Sequence, residues 1–126
     1  MSNNYVLGWM KNYANILVVY GDGSRDRVGQ AISKFINELS ISLKIFRFNI
    51  FVYTDIERPF FLEDTRIFLQ SNLVNSITIW GKPMKQILFD IDVFVKTNPH
   101  TFVLIDKEHV DELGFLKEKV NVFRVF

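Results

Sequence analysis

The chain has 126 residues, of which 48% are hydrophobic and 15% aromatic, so it is long enough to bury a core without disulfides or metal ions. Its 15 basic and 14 acidic residues give a formal net charge of +1, which lacks the cationic excess that nonspecific nucleic-acid binding normally requires. Because the sequence contains no cysteine, disulfides, thiolate zinc sites and thiol nucleophiles are excluded.

The beginning of the chain predicts a short amphipathic helical segment, residues 1–15, within a single α/β domain that spans residues 1–126. Its apolar residues recur at helical spacing: Tyr5, Val6, Trp9, Met10 and Tyr13. The first residues are polar and no uninterrupted apolar stretch follows them, so we expect neither a signal peptide nor a membrane span. We therefore expect a cytoplasmic protein without a membrane partner.

The run Ile16–Tyr20 is continuously apolar, which is typical of a strand that is buried on both faces of a sheet. A loop that contains glycine follows it over residues 21–27. Apolar residues then recur at helical spacing over Val28–Leu39, and Ser24 or Asp26 is available to cap this helix. A strand, loop and helix in this order form the layout in which open parallel sheets place their ligand sites.

The segment Lys44–Tyr53 predicts a longer strand. Its first half alternates polar and apolar residues, which favours a position at the edge of the sheet. An exit loop follows, and Pro59 within it discourages a helix until about Leu62. The stretch Glu63–Leu73 then predicts a second helix.

The second half of the chain continues this alternation of strands and helices. In chain order it predicts a strand at Ser76–Trp80, a helix at Met84–Lys96, a strand at Thr101–Ile105, a helix at His109–Lys119 and a strand at Val120–Phe126. Polar residues among the apolar ones favour an edge position for the last of these strands.

The alternation predicts an α/β fold, a three-layer sandwich with a mainly parallel five-stranded sheet. We expect the first and fourth strands inside the sheet and the second and fifth strands at its edges. These positions favour the flavodoxin-like order 2-1-3-4-5. The alternative is the Rossmann-like order 3-2-1-4-5, which would put the third strand at an edge because its residues alternate in polarity.

The loops at the carboxyl ends of parallel strands share one edge of the sheet, so the candidate ligand-binding residues lie there. Backbone amides near Gly21 and Gly23, at a helix start, favour a bound anion. Lys82 and Lys85 add two cations at another helix start, where acidic residues are usual. The candidate ligand-binding set is Gly21, Gly23, Ser24, Arg25, Asp55, Trp80, Lys82, Lys85 and Asp106.

The members of this set have different expected roles. Arg25 offsets the acidic residues on either side of it, and Tyr20 or Trp80 stacks on a ring of the ligand. Asp55 or Asp106 contacts hydroxyl groups. The alternative for the glycine loop is a tight turn in which glycine supplies the backbone angles and Asp or Ser caps the helix.

Acidic residues at the same edge also suggest a divalent metal site, because converging carboxylates can hold Mg²⁺ or Mn²⁺. They are Asp22, Asp26, Asp55, Glu57, Asp106 and Glu108. The alternative is that they cap helices or lie on the surface. His109, close to two of them in sequence, suits either an acid–base group or a surface residue. The sequence identifies no catalytic residue, metal ligand or cofactor.

Three functional hypotheses follow. The first is a domain that binds a phosphorylated or nucleotide-like small molecule at the carboxyl edge of the sheet. The second is a module without enzymatic activity that forms a homodimer through an edge strand or the aromatic residues of segment 1–15. The third is a metal-dependent nuclease or phosphoryl-transfer enzyme.

Overall fold

The computed structural model describes residues 13–44, 47–56, 73–98 and 101–126. Within these ranges the strands are β1 (Tyr13–Tyr20), β2 (Arg47–Thr54), β3 (Val74–Gly81), β4 (Thr101–Ile105) and β5 (Val122–Val125). The α-helices are α1 (Arg25–Leu43) and α2 (Met84–Thr97). Short 3₁₀ helices lie at Asp22–Ser24 and Gly114–Glu118.

The five strands form one sheet in the order β3-β2-β1-β4-β5, and every neighbouring pair is parallel. The α/β fold with a parallel sheet is therefore confirmed, and the order matches the Rossmann-like alternative. The favoured flavodoxin-like order is wrong, because β2 lies between β3 and β1. Among the described strands, β3 and β5 occupy the two edges, which confirms the edge position of β5.

The polar side chain of Asn49 in β2 is hydrogen-bonded inside the sheet, which is why β2 is not an edge strand despite its alternating polarity. Asn49 Oδ1 accepts hydrogen bonds from Asn75 Nδ2 and Ser76 Oγ, both at 2.9 Å, and Asn49 Nδ2 lies 3.4 Å from Asn15 Oδ1. Asn15 Nδ2 in turn donates to Asn98 Oδ1 at 3.3 Å. This asparagine ladder, made by Asn15, Asn49, Asn75, Ser76 and Asn98, crosses the amino ends of three adjacent strands.

The core consists of two apolar layers, one on each face of the sheet. Ile16 and Val18 of β1 pack in the layer under α1, whereas Leu17 and Val19 pack in the layer under α2. All four side chains are fully buried. The prediction that the first strand is buried on both faces is therefore confirmed, and β1 and β4 lie inside the sheet as expected.

The order of the strands places a topological switch point beside β1. The chain passes from β1 to β2 and β3 on one side, and α2 then precedes β4 on the other side of β1. In open parallel sheets, ligands bind outside the carboxyl ends of the strands at such a point. For this chain the switch point lies between the loop after β1 and the loop after β4.

The helix predicted over His109–Lys119 is wrong in type. This region consists of turns and a 3₁₀ helix, with successive backbone bonds between residues three apart, such as Leu116 N to Leu113 O at 3.0 Å. The first of them starts at Asp106, whose carbonyl and side chain both accept from His109 N. This tight bonding, together with Gly114, disfavours a regular α-helix.

The other helix predictions have mixed outcomes. The helices predicted at Val28–Leu39 and Met84–Lys96 are confirmed as α1 and α2. The helix predicted at Glu63–Leu73 lies almost entirely outside the described residues, as does most of segment 1–15, whose last three residues belong to β1. Among the described residues, no helix combines the length and apolar character needed to cross a membrane.

Candidate functional site

Asp106 is a fully buried carboxylate directly after β4. Its Oδ2 accepts hydrogen bonds from the Gly21 amide at 2.8 Å and from Ser24 Oγ at 2.6 Å. Its Oδ1 accepts from the His109 amide at 3.1 Å and lies 2.7 Å from His109 Nδ1. We call these four residues the Asp106 network; it joins the loop after β1 to the loop after β4, at the switch point.

The fold fixes the position of Asp106 before its side chain makes any contact. The Asp106 amide donates to the Val19 carbonyl at 3.1 Å, which extends the pairing of β4 with β1 by one residue. Ser24, at the N-cap position of α1, makes no side-chain bond to a helix amide. Its hydroxyl is used for Asp106 instead, so this predicted cap residue has a different structural role.

Gly21 is required by close packing and not by its backbone angles. Its φ of −114° and ψ of −175° are extended values that any residue adopts, and no described glycine has a positive φ. A Cβ on Gly21 would lie 2.5 Å from His109 Cε1, 3.3 Å from His109 Nε2 and 3.4 Å from Asp55 Oδ1. The glycine thus allows the imidazole and the Asp55 carboxylate to approach the backbone after β1.

His109 is oriented by Asp106. The carboxylate only accepts hydrogen bonds, so His109 Nδ1 carries the hydrogen between them, and Nε2 is an acceptor when the ring is neutral. The His109 side chain is 17% exposed, whereas that of Asp106 is 0% exposed. A buried carboxylate that fixes the tautomer of a more accessible imidazole is the arrangement of many acid–base and metal-ligating histidines.

His109 is not a member of the ligand-binding set predicted from the sequence. The signal that could have found it is its spacing from Asp106. An aspartate that ends a buried strand, with a histidine three residues later, allows the carboxylate to reach both the amide and the ring of that histidine.

The arginines beside the network are paired with exposed carboxylates. Arg25 Nη2 lies 2.5 Å from Asp22 Oδ1, and Arg27 Nη2 lies 3.1 Å from Glu108 Oε1. The hydrogen bond from Arg27 lowers the pKa of Glu108 below its ordinary value of 4.5. Gly23 faces the second pair, since a Cβ there would lie 3.8 Å from Glu108 Oε1.

Three of the backbone amides in the loop expected to contact an anion already have acceptors within the chain. Gly21 N donates to Asp106, Ser24 N donates to the Gly21 carbonyl at 3.2 Å, and Arg25 N donates to the Asp22 carbonyl. Positive groups for an anion would therefore come from the arginine side chains at the start of α1.

Trp80, Lys82 and Lys85 lie elsewhere on the carboxyl edge, two strands away from β1. The Trp80 ring stacks on Tyr53, with 4.8 Å between ring centroids and 22° between the ring planes. Lys82 Nζ lies 2.7 Å from Asp90 Oδ2 on α2, and Lys85 is exposed in the first turn of α2. The structure does not bring these three residues together with the Asp106 network.

Tyr20, the other aromatic residue considered for stacking on a ligand, is fully buried at the end of β1. Burial raises the pKa of Tyr20 above its ordinary value of 10.0, although a hydrogen bond with Thr54 and the charge of Arg25 oppose this shift. Its ring belongs to the apolar layer under α1.

A separate groove lies between α1 and β5, with a volume of about 280 Å³. Arg124 Nη2 and Glu38 Oε2, at 3.1 Å, form an ion pair in its wall. Among the residues that the structure describes, no group of three or more histidines and acids could hold a metal ion. Glu57, one of the acids considered for such a site, lies outside the described residues.

Comparisons with protein-family models, curated proteins and solved structures found no match to this chain. The geometry of the site is therefore the basis for inferring the function.

Proposed function

We propose that this domain binds a phosphorylated or nucleotide-like small molecule at the switch point between β1 and β4. The observation that supports this proposal most is the Asp106 network. It fixes Gly21, Ser24 and His109 around one buried carboxylate at the place where open parallel sheets bind ligands.

A purely structural role explains such a network less well. Burying a carboxylate costs several kcal/mol of desolvation free energy, and a well-packed apolar contact often joins two loops at least as stably. The buried carboxylate also fixes the tautomer and the orientation of an imidazole that is more accessible than the carboxylate itself. Buried charged groups that orient a second titratable group are typical of functional sites.

The arginines at the start of α1 supply the positive charge for a phosphate. Their partners Asp22 and Glu108 are 78% and 37% exposed, so both ion pairs are partly hydrated and contribute little to stability. A phosphate group forms bidentate hydrogen bonds with arginine and carries more charge than one carboxylate. We expect a bound phosphate to replace these carboxylates as the partner of Arg25 and Arg27.

Calorimetric titration with inorganic phosphate, ribose 5-phosphate, AMP and ATP tests the proposal. We expect binding of at least one phosphorylated compound, with an affinity that falls as salt increases because exposed charges are screened. Arg27→Gln should weaken binding about fivefold or more, as expected for the loss of one charge-assisted hydrogen bond.

Arg124→Gln is the matched control, because Arg124 also forms an exposed ion pair with a carboxylate, but in the groove between α1 and β5. It should leave the affinity unchanged. The proposal is contradicted if none of the four compounds binds, or if the two arginine substitutions have equal effects.

The self-associating module predicted from the sequence stays a prediction. Light scattering at increasing protein concentration tests it, because a homodimer would double the measured mass. A constant monomer mass would contradict it.

A further inference from the structure

Two acceptor groups converge above the Gly21 backbone. Nε2 of His109 and Oδ1 of Asp55 lie 3.3 Å and 3.4 Å from the position that a Gly21 Cβ would occupy. They come from the loops after β4 and β2, on opposite sides of β1. The two atoms therefore lie no more than 6.7 Å apart, the sum of these distances.

The hydrogen bonds already made by the chain decide the chemistry of this pair. Because His109 Nδ1 donates to Asp106, Nε2 has no hydrogen when the ring is neutral, and it is then an acceptor. The Asp55 carboxylate also accepts only, and it is exposed. The group that satisfies both acceptors must present two donors a short distance apart.

We propose that His109 and Asp55 bind a vicinal diol, so that the ligand is a ribosyl or related sugar phosphate. A hydrogen bond spans about 2.8 Å between heavy atoms, so hydroxyls on neighbouring carbons reach two acceptors this close together. This inference rests on the proposed function, which supplies the phosphate, and it adds the class of group that lies beside it.

Gly21 shapes this diol subsite. Its lack of a side chain allows His109 and Asp55 to approach the backbone, and its amide is already used by Asp106. Gly21 thus offers no competing donor, and ligand hydroxyls would donate to His109 and Asp55.

A comparison of ribose 5-phosphate with 2-deoxyribose 5-phosphate tests the inference, with binding measured by calorimetry on the full chain. Removing one hydroxyl leaves one acceptor without a donor, so we expect the deoxy sugar to bind roughly tenfold more weakly. The missing hydroxyl pairs with one of the two acceptors, so this ratio of Kd values should fall to within about twofold of one in the variant that lacks that acceptor, either Asp55→Ala or His109→Phe.

Asp111→Asn is the control, because Asp111 is an exposed acid in the same loop region as His109 and lies outside the network. It should keep the wild-type ratio. Circular dichroism of each variant distinguishes a lost hydroxyl contact from a lost fold.

The outcomes separate the two proposals. Equal binding of both sugars to the wild-type protein overturns the diol subsite and leaves phosphate binding intact. Binding of neither sugar overturns the diol subsite, and the titration with inorganic phosphate and the nucleotides then decides the proposed function by itself. A tenfold preference that persists in both Asp55→Ala and His109→Phe also overturns the assignment to these residues.

Discussion

Polar networks lie at both ends of the sheet, and they differ in whether they leave a side chain accessible to a ligand. The asparagine ladder at the amino ends is neutral, and its side chains bond to one another across β1, β2 and β3. The Asp106 network at the carboxyl ends is charged and buried, and it holds an imidazole at the rim. A network of polar residues inside a fold thus indicates a ligand-binding site only where it orients a side chain that a ligand can reach.

The largest expected effect comes from breaking the charged network with Asp106→Asn. The amide would place an NH₂ group against donors that now bond to the carboxylate. We expect a loss of about 3 kcal/mol in the free energy of unfolding, measured by urea denaturation, together with loss of ligand binding. A loss below about 1 kcal/mol would contradict the view that Asp106 joins the two loops.

The second expected effect concerns the close approach of His109 to Gly21. Gly21→Ala should cost about 1–3 kcal/mol, because its Cβ would meet the ring at 2.5 Å. In the double variant with His109→Ala, the cost of Gly21→Ala should largely disappear, which a double-mutant cycle measures.

Gly23→Ala is the matched control for Gly21→Ala, since the nearest atom to its Cβ would be Glu108 Oε1 at 3.8 Å, an ordinary contact distance. It should change stability by less than about 0.5 kcal/mol. Equal costs for the two alanine substitutions would contradict the view that the imidazole requires a glycine at position 21.

The third prediction tests the neutral network. Asn49→Ala removes the central member of the ladder and leaves Asn15, Asn75 and Ser76 without their bonds to it. We expect a loss of about 1–2 kcal/mol in urea denaturation and no change in ligand affinity. A changed affinity would mean that the two ends of the sheet are coupled.

The smallest expected effect depends on pH. The pKa of Glu108 is lowered in the folded state, above all by its hydrogen bond with Arg27. Its stabilising contribution is therefore complete above the unfolded value of about 4.5 and is lost as pH falls through the lower folded value. Unfolding curves for wild type and Glu108→Gln should converge as pH falls below this range, and a constant difference at all pH values would contradict the assignment.

Much of the fold could be predicted from the sequence, because local patterns determine it. The apolar run Ile16–Tyr20 indicated a doubly buried strand, and the helical spacing in Val28–Leu39 indicated α1. The strand order could not be predicted in the same way. The polarity of Asn49 favoured an edge, but contacts with residues on neighbouring strands satisfy its amide, and no local pattern reveals them.

The position of the site could be predicted from the sequence better than the residues that form it. Parallel strands implied a shared carboxyl edge, and Gly21, Ser24 and Asp106 do meet there. Lys82 lies apart from them, two strands away from β1, and it pairs with Asp90 on α2. The identity of these partners depends on how helices pack over the sheet, which spacing along the chain does not encode.

Ligand binding at the switch point is tested by backbone NMR titration with ribose 5-phosphate. We expect chemical-shift changes to concentrate at residues 21–27, 55 and 106–109, while Asn15 and Asn49 at the amino ends stay unchanged. Changes that centre on the asparagine ladder, or on Trp80 and Lys82, would contradict it.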